Sequence, residues 1–351
     1  MATIMPDAAR GPARPPNRRP SHQSDADSRP PRRAYAALDL GTNNCRLLIA
    51  KPARGGFYVV DAFSRVVRLG EGLVQSGRIS DAAQDRAVEA LRCCAEKLRR
   101  RDVYLTRNVA TEACRRAANG PEFVARVYEE TGIALDVISP AEEARLAVLG
   151  CQALLGSDCQ AIVFDIGGGS TELILVDLDE RGRAEIREWT SVPWGVVSLA
   201  ETEQTHIATE AERMDAYGRM CAKVAEHVAP FAARIGSAIL NTPTLLGTSG
   251  TVTTLASLHL GLPSYDRRVV DGCWVPSEAM IDISRLLASQ SPPERARMPC
   301  IGSERADLVV AGCAILDTIL TNWPVERIRI ADRGIREGIL RTLMNRDGHW
   351  V

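Results

Sequence analysis

Three short loops in this sequence combine small residues with hydroxyl, amide and carboxylate groups in a way that suits phosphate. The clearest is Phe164-Asp165-Ile166-Gly167-Gly168-Gly169-Ser170-Thr171-Glu172, where three glycines sit between two apolar runs. Adjacent glycines cost backbone entropy, so their use must lie in a conformation or an approach that a Cβ forbids. A tight turn presenting bare N–H groups to an anion is such a use, because converging amides form a nest for phosphate oxygens. Ser170 and Thr171 add hydroxyl donors, and Asp165, at a strand end, offers carboxylate oxygen to a hard cation such as Mg²⁺. Taken alone, a Gly-rich hairpin turn is as well explained by structure.

The other two loops strengthen the functional reading. Asp39-Leu40-Gly41-Thr42-Asn43-Asn44-Cys45-Arg46 carries Thr42, Asn43, Asn44 and Arg46 as donors for phosphate oxygen. Gly247-Thr248-Ser249-Gly250-Thr251 runs from a strand into a helix, and a helix N-terminus draws anions through its free N–H groups and dipole. Gly247, Ser249, Gly250 and Thr251 are its candidate contacts. Neither a Walker pattern nor a Rossmann glycine pattern is present, so the phosphate site is of another type.

These loops need elements to hold them. YAALDLG, CRLLIAK and FYVVDAF read as three strands with tight turns. A helix over 80–101 with Ser80 as N-cap follows, then a strand at 103–109, a helix from Pro121, a strand at 134–138 and a helix over 140–155. The order then restarts: AIVFDIGGG, STELILVD and EIREWTSV as strands, a helix over 209–235, a strand at 244–246, a helix from Thr251, and helices over 277–289 and 304–320. Each half opens with a hairpin whose turn carries Asp-x-Gly, at Asp39 and Asp165. The duplication predicts an α/β protein of two lobes, with both turns aimed into the cleft between them.

Composition bounds the rest. At 351 residues the chain is long enough for two cores, and 45% hydrophobic with 25% charged residues is ordinary for a globular protein. Residues 1–34 are rich in Pro, Arg, Ser and Asp and are expected to be a disordered tail. A formal net charge of −1 argues against a nucleic-acid binder. No apolar run can span a bilayer and no secretory signal opens the chain, so neither membrane nor export is expected and the cytoplasm is the expected compartment. Ten cysteines are scattered without a C-x-x-C pair, and five histidines lie at no metal-ligand spacing. They are expected to be reduced thiols, with no zinc.

The three loops in this order, with Ala110-Thr111-Glu112-Ala113-Cys114-Arg115 and Ile138-Ser139-Pro140-Ala141-Glu142-Glu143-Ala144-Arg145 between them, resemble the Ppx/GppA phosphatases. The resemblance covers about residue 35 to the end. It implies an actin-like (ribonuclease H-like) fold with lobes at 35–155 and 156–325. A closing strand and helix at 326–351 would return to the first lobe, making 331–333 a hinge. It also implies roles. Glu143 would be the general base that activates water, and Glu172 a second acidic residue for catalysis and metal. Asp165 would associate with Mg²⁺, and Arg115 would contact phosphate. Without the motifs, Glu142 and Glu143 would serve only the helix dipole, and Arg115 would be a solvated charge.

Departures are few. Thr42 and Asn44 stand where many relatives have serine, which keeps the hydrogen-bonding capacity. Asp271 stands where relatives often have His. Arg267 and Arg268 are candidates to line a channel for a polyanion, against ordinary surface exposure. Long members append a helical HD-like region after the point where this chain ends at Val351, so processive degradation is not expected. The reading is a short-form, Mg²⁺-dependent exopolyphosphatase acting on inorganic polyphosphate. Guanosine pentaphosphate is the alternative substrate, and a non-hydrolytic actin-like nucleotide binder is a third reading from another class. A homodimer is compatible with the chain.

Overall fold

The structure is a computed structural model that describes residues 33–203 and 209–349. The expected tail at 1–34 lies outside the described residues apart from its last two, and Ala34 already opens the first strand. Strands β1 (Ala34–Leu40), β2 (Asn44–Ala53), β3 (Gly56–Val66), β4 (Val103–Ala110) and β5 (Asp136–Val137) form a five-stranded sheet in the order β3-β2-β1-β4-β5. Strands β6 (Cys159–Ile166), β7 (Thr171–Leu178), β8 (Ala184–Val192), β9 (Thr244–Thr248), β10 (Trp274–Pro276) and β11 (Arg327–Ala331) form the second, in the order β10-β11-β9-β6-β7-β8. In each half an antiparallel meander of three strands continues into a parallel neighbour, β1 beside β4 and β6 beside β9. The repeat seen in the sequence is therefore a repeat of topology.

Strand periodicity explains the layers. Successive side chains alternate between faces, so Ala36, Leu38 and Leu40 of β1 enter the core under helix Asp81–Arg100. Tyr35 and Ala37 turn the other way, onto helix Ile335–Arg346. In β6, Ile162 and Phe164 face helices Glu210–Ile235 and Val309–Asn322. Ala161 and Val163 face helix Pro140–Cys151. Both faces of the central strands are covered, which is why β1 and β6 read as nearly continuous apolar runs.

Helices Pro140–Cys151 and Ile335–Arg346 share the middle layer between the sheets. Leu146 packs with the first lobe, while Ala144, Val148 and Cys151 of the same helix pack with the second. The two helices cross at glycines. A Cβ on Gly150 would lie 2.0 Å from Gly334 O, and one on Gly338 would lie 2.1 Å from Leu146 O. No larger residue permits that backbone approach.

The closing segment divides at 332–334. Its strand β11 pairs within the second sheet, between β9 and β10, and only its helix lies on the first. The crossing is tied down by charge: Asp271 accepts Arg333 Nε at 2.7 Å and the Asp332 N–H at 3.1 Å. Arg267 Nη2 donates to Glu337 Oε1 at 2.9 Å and to Asp332 O at 2.6 Å. Arg267 thus serves the crossing rather than a channel, and Arg268 is an exposed partner of Asp266. No helix among the described residues is long and apolar enough to cross a membrane.

Gly338→Val should lower stability by about 1–3 kcal/mol, the usual cost of overpacking, because the added methyls meet the Leu146 carbonyl. Urea unfolding of the variant checks this, and an unchanged midpoint would contradict the close crossing.

Candidate active site

Strand alternation and register decide which polar side chains reach the space between the lobes. Asp39 lies two residues beyond Ala37 and Asp165 two beyond Val163, so both aspartates face the middle layer. Asp39 lies opposite Arg46 on β2, and Asp165 opposite Glu172 on β7. One hairpin therefore carries an Asp–Arg pair and its counterpart an Asp–Glu pair.

The two turns repeat one another. Gly41 N–H donates to Asn44 O and Gly167 N–H to Ser170 O, each at 2.9 Å. Outside the turns, Thr42 O accepts from Gly70 N–H at 2.9 Å, and Asn43 O from Val67 and Arg68 N–H at 2.8 and 3.0 Å. Gly167 O and Gly168 O accept from Val196 and Val197 N–H at 2.9 and 2.8 Å, and Gly169 O accepts from Ser198 Oγ at 3.0 Å. With the carbonyls engaged outward, the N–H groups of Gly168, Gly169 and Ser170 have no partner among the described residues. Backbone donors are rarely left so, and three together suit phosphate oxygen. The turns also touch: a Cβ on Gly168 would lie 2.9 Å from Thr42 Cβ, and one on Gly169 2.7 Å from Thr42 Oγ1.

The third loop enters between them. Helix Gly250–His259 starts from Ser249, whose side chain accepts Thr251 N–H at 3.3 Å and whose φ is 116°. A positive φ at a residue with a Cβ stores strain and is a recurrent feature of functional sites.

Together the loops enclose a cavity of about 140 Å³. Its first-lobe wall holds Asp39, Thr42, Asn43, Asn44, Arg46, Thr111, Glu112 and Glu143. Its second-lobe wall holds Asp165, Gly167, Gly168, Gly169, Ser170, Ser249, Gly250 and Thr251, with apolar Val196, Leu308 and Val309 beside them. A carboxylate from the front half and the glycine turn from the back half thus share one space.

Glu143 sits in the first turn of helix Pro140–Cys151, where Ser139 accepts Glu142 N–H at 3.2 Å as N-cap. It is 7% exposed and accepts Arg115 Nη1 at 2.9 Å. Burial, and then the charge of Glu172, hold its pKa well above the carboxylate range against the pull of Arg115. Glu172 accepts the hydroxyls of Ser170 at 2.9 Å and Ser191 at 2.8 Å. Its pKa is raised by burial and then by Asp165. Asp165 is pushed up to about 6 by burial and by Asp39. Adjacent Glu142 behaves in the opposite way: Arg145 and Arg107 grip it, and its pKa is down to about 2. Two neighbouring carboxylates are thus driven apart by environment, and perturbation of this kind is concentrated at working sites.

Four expected site residues stand off the cavity wall. Thr171 spends its hydroxyl on Trp194 O at 2.7 Å, and Gly247 is small because the Phe164 ring lies 2.5 Å from where its Cβ would be. Glu172, 1% exposed, lies behind the wall. Arg115, expected on phosphate, is committed to protein: Nε and Nη2 donate to Glu112 Oε2 at 3.2 and 2.8 Å, and Nη1 to Glu143 and to Ile138 O. Asp271 belongs to the lobe crossing. The sequence reading missed Asp39, Thr254 and Arg305 on the wall. Arg305 Nη1 donates to Thr254 Oγ1 at 3.2 Å, from a turn that precedes the helix, which begins at Val309 rather than 304. Its one sequence signal is an arginine placed between Gly302 and an apolar helical run.

Two facing α/β lobes with paired glycine hairpins around an anion cavity define an actin-like phosphate-handling protein. Residues 48–347 match the Ppx/GppA phosphatase family. An exopolyphosphatase 2 of Mycobacterium tuberculosis is 30% identical over 322 residues, 88% of this chain and 98% of that one. The solved Ppx/GppA family member of Aquifex aeolicus is similar at a TM-score of 0.72 and 27% identity, covering 91% of this chain and 100% of that one. An exopolyphosphatase of Cytophaga hutchinsonii is similar at a TM-score of 0.79 and 25% identity, covering 89% and 98%. The chain belongs to the Ppx/GppA phosphatase family, a family of phosphoanhydride hydrolases.

Arg115→Gln removes a charge that favours ionised Glu143, so the pKa of Glu143 rises and deprotonation needs a higher pH. The acid limb of the kcat/KM profile should move upward, by the order of one pH unit. An unmoved limb would mean that Glu143 does not titrate in it.

Proposed function

We propose that the chain removes the terminal phosphoryl group of inorganic polyphosphate, with Mg²⁺, and releases orthophosphate. The observation that carries the reading is the shared cavity: Glu143 faces, across one small space, a turn whose Gly168, Gly169 and Ser170 N–H groups are free. Its volume of about 140 Å³ leaves room for a phosphoryl group and a water, whose share is about 30 Å³.

The steps follow from the residues. The glycine turn and the start of helix Gly250–His259 receive the terminal phosphoryl oxygens, where charge develops during transfer. Glu143 is buried and raised in pKa, as a base working near neutral pH needs to be, and it takes the proton from the attacking water. The leaving phosphate carries the rest of the chain, and Arg305 and Thr254 on the same wall would donate to its oxygens.

The donor set fits Mg²⁺. Asp39 and Asp165 are carboxylates whose pKa values burial raises, that of Asp165 further by the charge of Asp39, a strain that a dication relieves. Asn43 Oδ1 is buried without a partner and would accept from metal-bound water. Among the described residues no group of three or more His, Cys, Asp or Glu stands ready to hold an ion. Mg²⁺ keeps several waters and leans on substrate phosphate, so it needs few protein ligands. Asp165 and Asp39 would hold it, with Glu172 behind them, and when bound it would neutralise phosphoanhydride oxygen charge.

A second reading, hydrolysis of the 5′ γ-phosphate of guanosine pentaphosphate, draws on Val196, Leu308 and Val309, which would give a nucleoside an apolar wall. Phosphate release from both substrates, with Mg²⁺ and with a chelator, separates the readings. Polyphosphate should be the faster substrate, the chelator should abolish turnover, and Glu143→Gln should lower kcat at least 10²-fold. Full activity of Glu143→Gln would remove the proposed base. Arg305→Ala should raise KM for polyphosphate about tenfold or more with a smaller change in kcat, the loss of a charged hydrogen bond.

A further inference from the structure

Glu112 lines the cavity and yet donates nothing that a phosphoanhydride needs, since a carboxylate there repels the substrate. Its structural partner is Arg115, three residues on in the single helical turn Glu112–Arg116. A guanidinium grips oxyanions best through a flat edge of two N–H donors. In Arg115 the edge formed by Nε and Nη2 is wholly spent on Glu112 Oε2, at 3.2 and 2.8 Å. The remaining contacts of Nη1, to Glu143 and Ile138 O, aim the group at the buried base.

Two details say which contact can open. The side chain of Glu112 is 21% exposed, that of Arg115 16% and that of Glu143 9%, so Glu112 is the partner with access to water. Its Cβ and Cγ also sit against the glycine turn, 3.2 and 2.9 Å from where a Cβ on Gly169 would be. Phosphate seated on that turn would therefore arrive beside the Glu112 carboxylate.

We propose that Glu112 is a positioning residue that withholds Arg115 from phosphate, occupying the two-donor edge until an incoming phosphate displaces it. The inference rests on the cavity being a phosphate site. Substrate binding is then an exchange of one anion for another on the same guanidinium, and the chain gives up affinity to keep Arg115 on Glu143 in the empty state.

The test uses orthophosphate, which undergoes no turnover, titrated calorimetrically into the full chain and into Glu112→Gln, Arg115→Gln and the double variant. Glu112→Gln should bind orthophosphate about tenfold more tightly, and the gain should vanish in the Arg115→Gln background, as the coupling of a double-mutant cycle requires. Equal or weaker binding by Glu112→Gln would overturn the proposal. So would an equal gain without Arg115, which would be plain charge removal. If Arg115→Gln fails to fold, Arg115→Lys, which keeps the charge but lacks the two-donor edge, replaces it in the cycle. Polyphosphate turnover by the wild-type chain distinguishes the two failures. Turnover without the coupled gain sinks the Glu112 inference alone, and the gain without turnover sinks the hydrolase reading alone.

Discussion

Burying the Glu143 carboxylate is the costly step on which the cavity depends, since an ion taken out of water loses several kcal/mol of hydration. Arg115 donates a hydrogen bond to that carboxylate, while Glu172 pushes the other way. The result is a carboxylate whose pKa burial and Glu172 hold up against the pull of its guanidinium partner. Everything around it keeps that balance from relaxing. Ser139 fixes the helix start, Ile138 O and Glu112 fix the guanidinium, and Ser170 and Ser191 fix Glu172.

A balance of this kind tolerates little movement, which gives the packing of the middle layer its purpose. Helix Pro140–Cys151 carries Glu143 and belongs to both cores, so the base cannot shift with one lobe alone. Gly150 and Gly338 let it lie directly on helix Ile335–Arg346, and the charged ties of Arg267 and Arg333 close the crossing. The pairs here are partly buried and networked, the setting in which ion pairs hold geometry even where they add little net stability. The chain crosses back to the first lobe at residues 332–334, where Arg267, Asp271 and Glu337 converge.

Much of this was legible in the sequence because it depends on period and turn chemistry. Alternating apolar runs located the strands, Asp-x-Gly marked both hairpins, and their repetition announced the duplicated fold. The wall residues Thr42, Asn43, Ser170 and Ser249 followed from loop composition alone. What stayed hidden depends on contacts between segments distant in sequence. Thr171 looked like a donor, but the Trp194 carbonyl, 23 residues away, takes its hydroxyl. Gly247 looked like a phosphate glycine, but an aromatic ring from the adjacent strand requires it to be small. Arg305 was read inside a helix because the apolar pattern behind it is helical, and the left-handed Gly302 delays the start. Asp39 could have been found: the count of two from Ala37 that places it on the inner face is the count that places Asp165.

That shared count also bears on why a duplicated fold is useful here. The same position in each hairpin is an aspartate facing the middle layer, yet its cross-strand partner is Arg46 in one lobe and Glu172 in the other. Arg46 offsets Asp39, whereas Glu172 stands beside Asp165 as a second carboxylate and by its own charge raises Glu143. Two like hairpins therefore build unlike environments: one in which an arginine balances the aspartate, and one in which two carboxylates stand behind the open N–H groups of the glycine turn. Phosphoanhydride hydrolysis requires both within reach of a single phosphorus atom. Opposing two copies of one hairpin across a cleft meets that requirement, with Arg46 and Glu172 at the matching cross-strand positions.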